Sequence, residues 1–189
     1  ILWAAVEAPD PAVAPADPGF EPAASAQTPN DPYYVARQWA HTDTINSESA
    51  WDLTTGDTDI IIAVVDTGID SGHPDFAGKL VPGHTYLDQG ATEDNTPVDL
   101  NGHGTHVAGI AAAVTNNSTG VAGMSWGAKI MPVRVLGRDG TGWTSDIARG
   151  IIWAYQHGAD VINLSLGSAY DSQSVRSAIE AGHDAGALL

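Results

Sequence analysis

Ile60-Ile-Ile-Ala-Val-Val65, followed at once by Asp66-Thr-Gly68, is the stretch that settles the fold. It has no polar face, and every residue but Ala63 is β-branched. A short run of this type reads as a strand buried on both sides, the state of a strand inside a parallel sheet. Two further runs follow, Lys129-Ile-Met-Pro-Val-Arg-Val135 and Val161-Ile-Asn-Leu164, and Ala187-Leu-Leu189 reads as the opening of a fourth. Pro132 has no N–H to give and weakens its ladder. The intervals carry helical patterns. Residues 105–114 are small and apolar and read as a buried helix. Residues 145–157 put Ile147, Ile151 and Tyr155 on one face, with Thr144 or Ser145 as cap, Asp146 at the positive end and Gly158 as the stop. Residues 172–185 turn Val175, Ala178 and Ile179 inward. Strand alternating with helix predicts parallel βαβ units. The fold class is therefore α/β, an open, mainly parallel sheet with helices on both faces, incomplete at its C-terminal end.

Seven of the eleven prolines fall in the first 32 residues, and Pro, Ala, Asp and Gly fill 9–29 without apolar periodicity. Such a stretch cannot bury enough surface to order itself. Residues 1–29 are expected to be a linker, and the folded module to run over 30–189. Ile1-Leu-Trp-Ala-Ala-Val-Glu-Ala8 lacks the basic start of a signal peptide. The formal charge is −16, from 23 acids against 7 bases. That balance argues against nucleic acid and against anionic membrane surfaces as partners. It suits cation binding, high salt or plain solubility. No run approaches the ~18 apolar residues of a membrane helix. The chain has no cysteine, which excludes disulfides and thiolate–metal sites and is compatible with export.

In open parallel sheets, sites form beyond the carboxyl ends of strands. Asp66 stands at one such end and the segment from Asn163 to Gly167 at another. An Asp there can accept the Nδ1 proton of a histidine and fix its tautomer, or it can cap a turn or bind a metal. Asn101-Gly-His-Gly-Thr-His-Val-Ala-Gly109 supplies the histidine. His103, between two glycines at the mouth of the helix, can take and return a proton near neutral pH. His106 lies one turn further on and reads as an ordinary polar side chain; a His103–His106 zinc pair lacks a further close ligand.

Asp66-Thr-Gly-Ile-Asp70 with His73-Pro-Asp75, then Gly102-His-Gly-Thr-His-Val-Ala-Gly109, resembles the subtilisin-like serine proteases, the subtilases. Asn30-Asp-Pro-Tyr-Tyr34 and Thr115-Asn-Asn-Ser-Thr-Gly120 resemble the thermitase-like members of that family. The resemblance implies a secreted serine endopeptidase acting on protein or peptide substrates, with Asp66 as orienting carboxylate and His103 as general base. It makes Leu136, Gly137, Gly140 and Gly142 part of a substrate-binding edge strand and its glycine loop. Ser165, Leu166 and Gly167 become the wall of the primary specificity pocket. It implies structural calcium, with Asp31, Asp75 and Asn117 as side-chain ligands and Val114, Thr119 and Val121 as carbonyl ligands. A second calcium site would involve Asp88, Asp94 and Thr96. The tail resembles the end of an inhibitory prosegment, so the chain's own prosegment is an expected partner. The family's Gly-Thr-Ser-Met-Ala nucleophile block does not occur in these residues. It is expected after Leu189, which would leave this stretch inactive alone. The alternative is a non-catalytic subtilase-like module that binds peptides or calcium.

Overall fold

The structure is a computed structural model and describes residues 28–87 and 97–189. In chain order the elements are α1 (Tyr34–Arg37), α2 (Trp39–Asp43), α3 (Ser47–Trp51) and β1 (Ile61–Asp66). A 3-10 turn at Pro74–Phe76 and β2 (His84–Thr85) come next. They are followed by α4 (His103–Ala112), β3 (Lys129–Arg134), α5 (Thr144–Gln156), β4 (Val161–Asn163) and α6 (Gln173–Asp184). The strand order is β2-β3-β1-β4, and each pairing is parallel. β1 pairs with β3 from Ile61–Lys129 to Asp66–Arg134 and with β4 from Ile62–Val161 to Val64–Asn163. A bridge between Val161 and Leu188 continues the sheet beyond β4, where residues 187–189 are expected to start a strand.

The apolar run in β1 is buried on both faces. Ala63 and Val65 pack with Met131, Val133, Ile151, Ala154 and Ala178, facing α5 and α6. Val64 packs with Ile130, Ala108 and Ala112, facing α4. Full burial of a Val or Ile side chain contributes roughly 1.5–3 kcal/mol, so these two layers fix which residue faces which helix. Side chains alternate along a strand. Asp66 therefore follows Val64 onto the α4 side of the sheet, the side on which His103 begins its helix.

Pro132 lies inside β3, opposite Val64. Ile130, two residues earlier and facing the same way, gives its N–H to Lys79 on the side away from β1. The missing N–H of Pro132 thus falls toward β2, where the neighbouring chain is paired only at Leu80 before and at His84–Thr85 after it. The ladder to β1 is continuous. The proline shortens one edge and leaves the central pairing whole.

Two helix starts differ from expectation. α5 begins at Thr144, with Trp143 at the N-cap and no side-chain cap bond, so neither Thr144 nor Ser145 caps it. The main-chain carbonyl of Trp143 takes the N–H groups of Asp146 and Ile147 instead. α4 begins at His103 rather than 105 because side chains outside the helix hold its first turn. Ser172 does cap α6, accepting from the Val175 N–H. Helices α1 to α3 have no counterpart in the sequence reading. Tyr34 and Trp51 from this segment bury themselves with Ala122 and Trp126. Gln38 then clips the segment down, giving Nε2 to the Ala122 carbonyl and accepting its N–H, each at 2.8 Å.

Candidate active site

Asp66 is fully buried at the carboxyl end of β1. Its backbone carbonyl accepts from Val135 and Leu136, which fixes the strand end against β3. Its Oδ1 accepts the Thr67 N–H at 2.7 Å. The imidazole of His103 sits over both carboxylate oxygens, with Nδ1 2.8 Å from Oδ1 and 2.9 Å from Oδ2. The His103 side chain is 47% exposed. Its Nε2 takes no hydrogen bond from the described residues and is open to a reactant. The two residues that sequence reading puts forward as a catalytic pair are therefore in direct contact.

The contact depends on how closely α4 approaches β1. Gly104 lies against the strand exit: a Cβ there would stand 2.2 Å from the Gly68 carbonyl oxygen and 3.2 Å from the Asp66 Cβ. Only glycine lets the helix start this near. The first turn of α4 is held by side chains that sequence reading did not single out. Asp99 accepts from Thr67, Asn101, Gly102 and Thr105, and the Thr67 hydroxyl accepts the Gly104 N–H. Burial works to raise the pKa of Asp99, but the hydrogen bonds from Gly102, Thr105 and Asn101 outweigh it and hold the carboxyl below its usual value. An aspartate just ahead of a helix, where capping residues belong, was the available signal.

The expected substrate segments flank Asp66. β3 runs on into Leu136, which is buried, and into a closed loop in which Gly137 donates to the Thr141 carbonyl and Gly140 to the Gly137 carbonyl. Gly142 packs on the Val135 carbonyl. Asn101 gives its Nδ2 to the Arg138 carbonyl at 2.9 Å, tying this loop to the one that carries His103. On the other side, β4 leads to Ser165, which accepts from Asn163 and is exposed, then Leu166 and exposed Gly167. Ser165 and Asp66 each lie two residues past the Val64–Asn163 pair.

The expected calcium ligands also converge. Asp31 and Asp75 are 3% and 1% exposed. Asp31 accepts from the N–H groups of Asn116 and Asn117; Asp75 accepts from Asn117 Nδ2 at 3.1 Å and the Val121 N–H at 3.0 Å. Among the described residues neither is ion-paired with a basic side chain. Two buried carboxylates without a counter-charge are costly, and a hard cation relieves that cost. Calcium takes carboxylate, amide and carbonyl oxygens, and Asp31, Asp75 and Asn117 bring the first two kinds to this loop. Among the described residues no group of three or more His, Cys, Asp or Glu stands where it could hold a metal ion. Asp88, Asp94 and Thr96 lie outside the described residues, as does the tail over 1–27.

A buried carboxylate in contact with an exposed imidazole at the rim of a parallel sheet can act as an acid–base pair. The sequence matches the Subtilase family over residues 57–189. A thermophilic serine proteinase of Bacillus sp. (strain AK1) is 47% identical over 165 residues, covering 87% of this chain and 40% of that protein. Thermitase of Thermoactinomyces vulgaris is 46% identical over 162 residues, covering 86% and 56%. Among solved structures, a protease from Pseudoalteromonas arctica superposes with a TM-score of 0.75 at 38% identity, covering 85% of this chain and 57% of that one. The chain belongs to the subtilase family, and it spans about half the length of these relatives.

Proposed function

We propose that this chain supplies the orienting carboxylate and the general base of a calcium-stabilised serine endopeptidase. The observation that carries the proposal is the Asp66–His103 contact, with Nδ1 held between two carboxylate oxygens and Nε2 left free. In that tautomer Nε2 is the basic nitrogen. It accepts the proton of a serine hydroxyl as the oxygen attacks a peptide carbonyl, and it returns the proton to the leaving amine. Asp66 stabilises the imidazolium in between. The Gly-Thr-Ser-Met-Ala block that would carry the nucleophile does not occur in these residues, so the proposal assigns none of them that role. The isolated stretch is accordingly expected to be inactive.

Substrate backbone would pair along Leu136–Gly142, and Ser165–Gly167 would wall the pocket for the side chain before the scissile bond. Pairing to main chain tolerates varied sequences. Calcium would be held by Asp31, Asp75 and the Asn117 amide, with the carbonyls of Val114, Thr119 and Val121; it would neutralise the two buried carboxylates and clamp the N-terminal helices to the loop after α4. Secretion, and inhibition by the chain's own prosegment, belong to the same reading; several relatives are named as extracellular proteases. Hydrolysis of a quenched fluorogenic peptide by the full-length protein tests the proposal. Cleavage that disappears in His103→Ala supports it, and absence of cleavage by the folded, calcium-loaded protein rejects it.

A further inference from the structure

We propose that Asp99 is a positioning residue for His103, holding the imidazole on Asp66 by fixing both the turn after β1 and the start of α4. The proposal rests on the reading of His103 as the general base. Asp99 Oδ1 accepts from the Thr67 hydroxyl at 2.9 Å, the Asn101 N–H at 2.9 Å and the Gly102 N–H at 2.8 Å. Its Oδ2 accepts from Thr105 twice, from the N–H at 2.9 Å and from the hydroxyl at 2.6 Å.

These five donors come from two sides of the catalytic pair. Thr67 is the residue after Asp66, and its N–H donates to the Asp66 carboxylate. Its hydroxyl also accepts the Gly104 N–H at 2.9 Å. His103 therefore sits between two residues, Gly102 and Gly104, whose N–H groups are both held in this network. Thr105 accepts the Asp70 N–H at 3.0 Å, so the turn leaving β1 is held a second time. Among the described residues the His103 ring hydrogen-bonds only to Asp66, so its place depends on where the helix start stands. Asp99 is what fixes that start to the strand.

The charge state matters. An ionised carboxylate accepts at both oxygens, about four lone-pair sites in all, whereas an amide presents one acceptor oxygen and two donors. Asp99→Asn keeps the shape but cannot satisfy five donors, and its NH2 would confront N–H or O–H groups. The slack moves the His103 backbone, and a displacement of about 1 Å in a catalytic group costs on the order of 10²-fold in rate.

The test is steady-state kinetics on the full-length protein, with active sites counted by a fluorophosphonate burst so that unfolded molecules drop out. Asp99→Asn is expected to lower kcat per active site by about tenfold or more. KM, which depends on other segments, should stay within about threefold. Combined with Thr67→Val, the loss should be less than the product of the two single losses, since both cut one linkage. Unchanged kcat per counted site, or a loss confined to KM, overturns the positioning role and leaves the protease reading intact. If the wild-type protein shows no burst at all, the protease reading fails, and this inference with it. Should Asp99→Asn not fold, Thr105→Val removes one donor and keeps the carboxylate; kcat per site must still fall severalfold, and no change overturns the proposal.

Discussion

The His103 ring is held by one bifurcated contact to a carboxylate that water cannot reach, so the tautomer and the orientation are set together. Asp66→Asn keeps the shape and loses the acceptor that selects the tautomer. On the reading proposed here, peptide hydrolysis should fall by about 10⁴-fold, the size known for that change in another serine protease; a loss below tenfold in kcat would show that the carboxylate is not the orienting group. His41 offers a second residue-scale expectation. It is buried among Tyr34, Trp51, Gln38 and Ser47, with Nδ1 2.9 Å from the Ser47 hydroxyl, and burial lowers its pKa from 6.5. Above about pH 6.5 both folded and unfolded states keep it neutral. Below that, the unfolded state gains a proton that the folded state resists, so stability falls as pH falls. Melting temperature followed from pH 7.5 to 5 should drop less steeply in His41→Gln than in wild type. At this scale Asp66 and His103 were legible because they stand in long motifs that resemble those of the subtilases; by residue type alone Asp66 could as well cap a turn or bind a metal. Asp99 was not singled out, because its place just ahead of a helix suggests a cap but not the bond to Thr67, which lies 32 residues away in sequence.

The approach of α4 to β1 depends on a single missing methyl at Gly104. Gly104→Ala would set its Cβ against backbone rather than against a side chain that can yield. The expected cost is about 1–3 kcal/mol of stability, as for other overpacked cores, with a larger loss of activity because the displaced helix carries His103. Thermal unfolding and peptide hydrolysis of the same preparation separate the two; unaltered values in both would remove the claim that the helix start is sterically fixed. The long elements were readable from pattern, since β1, β3, α4, α5 and α6 each repeat burial over several residues. The short helices α1 to α3 span only four or five residues and have no side-chain cap bonds. Their stability comes from Trp51 and Tyr34 packing against Trp126 and Ala122, contacts across more than seventy residues that no local window contains. Pro132 misled in degree for a similar reason, because which edge its missing N–H faces is a property of the sheet.

Across the whole molecule, the stretch ahead of α1 and the 3-10 turn both meet the loop after α4, at Asp31 and Asp75 respectively. On the proposed reading, a cation there would tie the chain's first described residues to its centre. Chelation of calcium from the full-length protein is expected to lower its melting temperature markedly, and readdition to restore it. Asp75→Asn, with one charge fewer to neutralise, should start lower and respond less; equal melting temperatures with and without chelator would remove calcium from the structure's support. The order Asp, His and then a nucleophile elsewhere leaves one decisive reaction, covalent labelling of serine by a fluorophosphonate. We expect the full-length protein to be labelled rapidly at a single serine, and His103→Ala to be labelled at least about 10³-fold more slowly. Labelling that is absent from the folded wild type, or that proceeds at the same rate in His103→Ala, would contradict the assignment of Asp66 and His103 as the pair that activates it.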